Sequence, residues 1–298
     1  MRLWRMLLLA LVATALAVGM AACGDDEDDE GGSTGAETQA REFPAGSTPA
    51  RIQESGEIKI GVKFDVPPFG FKNPQTNEVE GFDVDLGKAI AERLGVDPKF
   101  IEAISDNRIP FLDDGTADVI LSTMTINEER VGQIEFSDPY YIAKGRILVK
   151  EDDDSIKGVK DLNGKRVCTA LGSTYEDTLK KQAPQAKTTL VDGYSECLEA
   201  IQNGSVDAVS TDDVILTGMI IQDDSLKLVE GEELTTEPYG VGIKDGDAEF
   251  KKFVDESIQK FKDDGRWAKS YEKWVGQYTG EDQEPPTMTL KEAIDLTK

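Results

Sequence analysis

Histidine is absent from this chain, and cysteine occurs three times in 298 residues. The first absence removes any histidine-based catalytic triad and argues against a zinc site. Basic residues are scarce: 33 Lys and Arg stand against 58 Asp and Glu, a formal charge of −25. That balance argues against a nucleic acid partner, because a polyanion would be repelled. The apolar run at residues 6–19 is too short for a comfortable transmembrane helix. It follows Arg2 and Arg5 and gives way to small residues, the layout of a signal peptide over residues 1–22.

Met20-Ala21-Ala22-Cys23 resembles a bacterial lipobox, so cleavage before Cys23 and a lipid on its sulfur are expected. The alternative is a plain signal peptide that happens to carry a cysteine. Residues 25–30 are all acidic, and the chain then turns Gly-, Ser- and Thr-rich with no apolar period, so residues 23–50 read as a disordered tether. With the leader's two arginines and the tether's −7 set aside, the body from Arg51 carries −20. One focused basic pocket can still hold a small anion against that diffuse charge. Cys168 and Cys197 remain, in an exported and oxidising context that favours a disulfide. Two buried free thiols are the alternative.

The body alternates strand and helix patterns. Residues 57–62 read as a strand with Lys63 at its end. Residues 81–95 read as a helix, with Leu86, Ile90 and Leu94 four apart and Gly95 as its stop. Further strands are expected at 100–104, 119–121, 167–169 and 208–210, and a hairpin turn at 74–77. One pattern occurs twice: Leu112-x-x-Gly115-x-x-Asp118 and Ile201-x-x-Gly204-x-x-Asp207, each before a short apolar strand. Two α/β lobes of similar plan follow from it, with largely parallel sheets. The chain crosses between them near residues 139–144 and returns near 236–241, which makes a two-crossing hinge. The expected division is 51–140 plus 241–279 for lobe one and 141–240 for lobe two. The helical patterns at 250–261 and 266–275 are expected to pack back on lobe one. Residues 280–298 form a C-terminal extension with no assigned role.

Ligands of open α/β sheets bind beyond the carboxyl ends of strands. That rule selects Lys63; Ser122, Thr123 and Thr125 with Arg130; Ser173 and Thr174; and Asp212 with Asp213. Arg130 suits a carboxylate, held in a bidentate fork and assisted by backbone N–H groups around Thr125 and Thr174. Asp212 suits an ammonium, with the Thr123 carbonyl as an added acceptor. The two together describe an α-amino acid, and Lys63 then stands where an acidic side chain would end. Each position has a plainer use: Lys63 as a surface lysine, Ser173 and Thr174 as an N-cap, Asp212 or Asp213 as the cap of a helix from Val214.

The sequence resembles the extracellular solute-binding proteins of family 3, polar amino-acid receptors of ABC importers, over about residues 54–278. Gly81-Phe82-Asp83-Val84-Asp85-Leu86 with Ile90, Ala91 and Leu94 matches the family signature. So do Met124-Thr125-Ile126 with Glu129-Arg130, Phe136-Ser137-Asp138-Pro139-Tyr140, Gly172-Ser173-Thr174, and Val206-Asp207-Ala208-Val209 leading to Asp212. It looks most like actinobacterial glutamate-binding lipoproteins. The resemblance implies a two-lobed, type II periplasmic-binding fold that closes on its ligand. It carries Arg130 over as the α-carboxylate residue, Asp212 as the ammonium residue, and Thr123, Thr125 and Thr174 as the shell around them. Val66 and Ser105 stand where some members place aromatic rings, Lys63 where glutamine receptors present an acid, and Thr123 where Gly is usual. Asn107-Arg108 resembles a motif near the pocket of some acidic amino-acid receptors.

The expectation is therefore a lipoprotein on the outer face of the cell membrane that acts as a monomer. It binds glutamate, or aspartate second, and delivers it to a membrane permease, with no cofactor and no metal. The rival is a dehydratase-like enzyme on the same scaffold, with Glu102 or Glu176 as general acid.

Overall fold

The structure, a computed structural model, describes residues 42–231, 233–280 and 282–298. The leader and Cys23 lie outside the described residues. Among these, no helix is long and apolar enough to cross a membrane.

Two sheets carry the architecture. The first runs Asp97–Glu102, Glu57–Val62, Val119–Ile120, Gly242–Ile243, Glu135–Phe136. The second runs Lys187–Val191, Arg166–Ala170, Ala208–Asp212, Tyr141–Lys150, Leu226–Leu228. In each, the leading three strands are parallel and the later pairings antiparallel. The repeated aspartates have one structural role in both sheets. Asp118 accepts from the Lys59 backbone N–H at 2.8 Å, and Asp207 from that of Arg166 at 2.8 Å. Each carboxylate thus fastens the start of its own strand to the central strand beside it, and Arg51 or Arg166 pairs with it from outside.

The two crossings are joined. Thr236–Tyr239 pairs antiparallel with the start of Tyr141–Lys150, Tyr239 opposite Tyr141 and Thr236 opposite Lys144. This short ribbon links the lobes, and an aromatic cluster of Phe69, Phe82, Tyr140, Tyr141 and Tyr239 packs around it. The signature helix is Phe82–Leu94, ended by Gly95 at φ 73°. Its Asp83 is fully buried and accepts from Thr123 N–H (2.9 Å) and the Tyr140 hydroxyl (2.7 Å). Asp85 receives Ser270 and Trp274 from the helical end of the fold. Ala248–Asp263 and Arg266–Tyr271 pack on this helix through Phe250, Val254, Phe261 and Trp267, and a π-turn at Glu272–Gly276 interrupts the helix expected to continue to 275.

Several boundaries move. The ordered fold begins before Arg51: helix Thr48–Ser55 is capped by Ser47, and Phe43 packs edge-on against Phe253. Pro49 starts this helix rather than breaking it, because an N–H is dispensable in the first turn. The strand expected at 100–104 is Asp97–Glu102, and it tolerates Pro98 because it lies at the sheet edge. The C-terminal extension is folded onto the first lobe. Helix Leu290–Leu296 carries a capping box of Thr289 and Glu292, and its Ala293 is fully buried beside Leu112, Ile126 and Ile134. The Leu290 N–H donates to Asp138 at 2.7 Å, and Lys262 bridges the Pro139 and Pro286 carbonyls.

Candidate functional site

A narrow cleft with about 10 Å³ of free space lies between the lobes at the carboxyl ends of both sheets. The first lobe lines it with Ser105, Arg108, Thr123, Thr125 and Arg130; the second with Ser173, Thr174, Tyr175, Tyr194, Asp212 and Ile215. Its free space is room for about one water molecule, and the walls are mostly charged and hydroxylated.

Arg130 sits in a short helix, Glu128–Val131, opened by the Asn127 side chain, which accepts from the Arg130 N–H. Its guanidinium donates to the Thr125 carbonyl (2.8 Å) and reaches the second lobe at the Gly172 carbonyl (3.0 Å). Arg108 opens Arg108–Asp113 and is buried. It donates to the carbonyls of Ser105, Ser122 and Thr123, and also to Gly172 (3.2 Å). The two guanidinia thus converge on one second-lobe carbonyl. Burial pushes both below their ordinary values; Arg130 lowers Arg108 further, whereas Glu237 opposes the fall of Arg130.

Thr123 holds φ 43°, a left-handed conformation unusual for a β-branched residue. The strain is fixed from both sides: Asp83 takes its N–H and Arg108 its carbonyl. The expected ammonium acceptor is thus already engaged by a cation. Thr125 and Thr174 also differ from expectation. Both hydroxyls donate to one oxygen of Glu237, at 2.5 and 3.1 Å. Their hydrogens are committed there, so neither hydroxyl is free to donate into the cleft.

Across the cavity, Asp212 ends strand Ala208–Asp212 and makes no helix cap. Asp213 does that work instead, accepting from the Val214 and Lys144 N–H groups. Asp212 accepts from the Tyr175 hydroxyl at 2.8 Å. Burial, then nearby Glu237, pushes its carboxyl well above the usual range. Ser173 precedes helix Thr174–Gln182 without capping it and lies 3.3 Å from the Thr169 hydroxyl.

Lys63 does not line the cavity. It is buried one layer behind, donating to the Ser105 hydroxyl at 2.8 Å and lying 5.7 Å over the Tyr194 ring. Burial, then the Arg108 charge, lowers it to about 7. The strand-end rule located it correctly along the chain, but Ser105 stands in front. Glu237 escaped sequence reasoning, and Arg108 entered it only as part of a resembling motif. Pro238 beside Glu237 and the Asn107-Arg108 pair were the available signals. Neither nominated general acid is at the cavity: Glu102 is exposed on an edge strand, and Glu176 pairs with Lys180 at 2.9 Å. Cys168 and Cys197 are bonded, with Cα atoms 5.5 Å apart, tying strand Arg166–Ala170 to helix Tyr194–Gln202, which carries Tyr194.

The model of the bacterial extracellular solute-binding proteins, family 3, matches residues 58–277. The chain belongs to that family. Among the relatives of this family 3 binding protein is the ABC transporter glutamine-binding protein GlnH of Bacillus subtilis. It is 38% identical over 271 residues, 90% of this chain and 96% of that one. The glutamate-binding protein GluB of Corynebacterium efficiens is 32% identical over 297 residues, 95% and 94% of the two chains. A solved structure of an ancestral arginine-binding protein bound to glutamine is 40% identical with a TM-score of 0.70, covering 74% of this chain and 98% of that one. The two-lobed type II fold follows from these matches, and the curated relatives named here are transporter binding proteins, not enzymes.

Proposed function

We propose that this protein is the extracytoplasmic receptor of an ABC importer, that it binds an acidic amino acid, glutamate before aspartate, and that it hands it to a membrane permease. A lipid on Cys23 and the acidic tether would hold it at the membrane's outer face. One observation carries the specificity: three buried cations stand in a row, linked through Gly172 and Ser105. Arg130 and Arg108 meet at the Gly172 carbonyl, and Arg108 and Lys63 meet at Ser105. Asp212 faces them from the other lobe.

An α-carboxylate against Arg130 and an ammonium against Asp212 leave the side chain directed along the row. A carboxylate there pairs charges that burial alone disfavours. An arginine or lysine side chain would meet like charge. A glutamine amide would leave Arg108 and Lys63 without a counter-ion. The relatives named for glutamine, glutamate, cystine and arginine show how widely this scaffold is tuned.

Calorimetric titration of the leader-free chain, unfolded and refolded to strip carried ligand, tests the reading. Glutamate is expected to bind at least tenfold more tightly than glutamine, and arginine not at all. A preference for glutamine or arginine would refute the acidic specificity. Binding of none of the four, aspartate included, would refute the amino-acid receptor itself.

A further inference from the structure

A second crevice, with about 10 Å³ of free space, shares Tyr194 and Ile215 with the cleft. Here the lobes touch without any group that lines the cavity's first-lobe wall. Asp65, in the short strand Asp65–Val66 that follows the first strand, accepts from the Ser195 N–H at 3.0 Å, at the start of helix Tyr194–Gln202. Beside it, Gly218 in helix Asp213–Gln222 lies directly under the Pro67 carbonyl, and a β-carbon built there would overlap that oxygen. Gly193 is the same case in milder form: its β-carbon would meet the Asp65 carboxylate oxygen at 2.7 Å.

We infer that Gly218 and Gly193 are closure positions: they set affinity by allowing the first lobe to seat on the second, and they do not touch ligand. The inference rests on the receptor function proposed above. Nothing within the second lobe requires a glycine at either place. Gly218 has no left-handed φ and its β-carbon meets only Pro67, a first-lobe residue, within the three nearest atoms. Gly193 is extended at φ −121° and ψ 155°, open to any residue. A side chain at either position is therefore compatible with separated lobes and costly only when they close.

A ligand held by both lobes binds in proportion to the competent, closed population. The obstruction is unequal. At Gly218 the obstacle is backbone, which cannot swing aside. At Gly193 it is the end of a flexible side chain, which can.

Gly218→Ala separates this from ordinary packing loss, because alanine favours a helix over glycine. Its ligand-free melting temperature is expected to equal or exceed the wild type's. Its glutamate affinity is expected to fall at least 30-fold, with the wild type's ligand-induced decrease in radius of gyration, read by small-angle scattering, lost. Gly193→Ala should lose only a few-fold. Wild-type affinity and compaction in Gly218→Ala would overturn the inference. So would a matching drop in ligand-free melting temperature, which would place the defect inside the second lobe. The wild type is titrated alongside with glutamate, aspartate, glutamine and arginine. If it prefers another of the four, the specificity fails and closure is read on that ligand. If it binds none, receptor and closure readings fall together.

Discussion

Lys63 shows how one residue's environment becomes a measurable property of binding. Burial and Arg108 hold its ammonium near 7, so at pH 8 much of it is neutral in the unliganded protein. A ligand carboxylate brought into the row favours the charged form and raises that value. Below pH 7 the lysine is already charged and little changes. Between 7 and the raised value, binding must take up a proton, and affinity for glutamate falls as pH rises through that window. Titrations at pH 8 in phosphate and in Tris are expected to give different apparent enthalpies, with the sign of proton uptake. Asp83 is also held near 7 by its burial, so Lys63→Met is the control, and the buffer dependence should vanish in it. Buffer-independent heat in the wild type would remove Lys63 from side-chain recognition. The same residue marks the limit of reading a site from sequence. Strand-end position brought Arg130, Thr125, Thr174 and Asp212 to one cavity, because backbone geometry alone decides where strands end. It could not show that Ser105, forty-two positions away, stands between Lys63 and the ligand space. Glu237 was hidden for the opposite reason: an acid in a crossing segment reads as solvated until two threonines from separate lobes are found donating to it.

At the level of elements, the disulfide is the cross-link nearest the site. It fastens helix Tyr194–Gln202 to the strand beneath it, and that helix brings Tyr194 over Lys63 and the Ser195 N–H to Asp65. Closing a loop of 29 residues restricts the unfolded chain by about 3–4 kcal/mol in the entropy model. For a body of this size that corresponds to a melting temperature lowered by roughly 10 °C on reduction. Differential scanning calorimetry with and without dithiothreitol, with thiol labelling to prove reduction, checks it. An unchanged melt in fully labelled protein would mean the bond adds nothing to stability. Elements themselves were legible where one local rule dominated. Gly95 stops a helix, and the Gly-x-x-Asp repeat precedes two matching strands because each aspartate fastens its strand to a neighbour. Elements held by distant packing were legible only in part. The strand Lys187–Val191 is mostly exposed and has no apolar alternation; helix Leu290–Leu296 is legible as a short amphipathic stretch, but its seat on the first lobe, through Ala293 and the Asp138 contact, is announced by no local pattern.

The whole molecule sets a field that opposes its own site. A body of −20 surrounds a cleft lined by two arginines, with Lys63 buried one layer behind, and the proposed ligand is an anion. At low ionic strength the diffuse negative charge acts over tens of ångströms, whereas the buried cations are shielded by protein on every side but the cleft. Approach is therefore slowed at long range and rewarded only at contact. Added salt screens the first effect and barely reaches the second. The association rate for glutamate is expected to rise about two- to five-fold between 20 and 300 mM sodium chloride, while the dissociation rate stays nearly constant. Trp267 is a suitable reporter, since its indole donates to the Tyr140 carbonyl at the first crossing. Stopped-flow fluorescence measures both rates. A rate that falls with salt would mean that the pocket's cations govern the field at the cleft mouth, and the acidic surface would then have no part in capture.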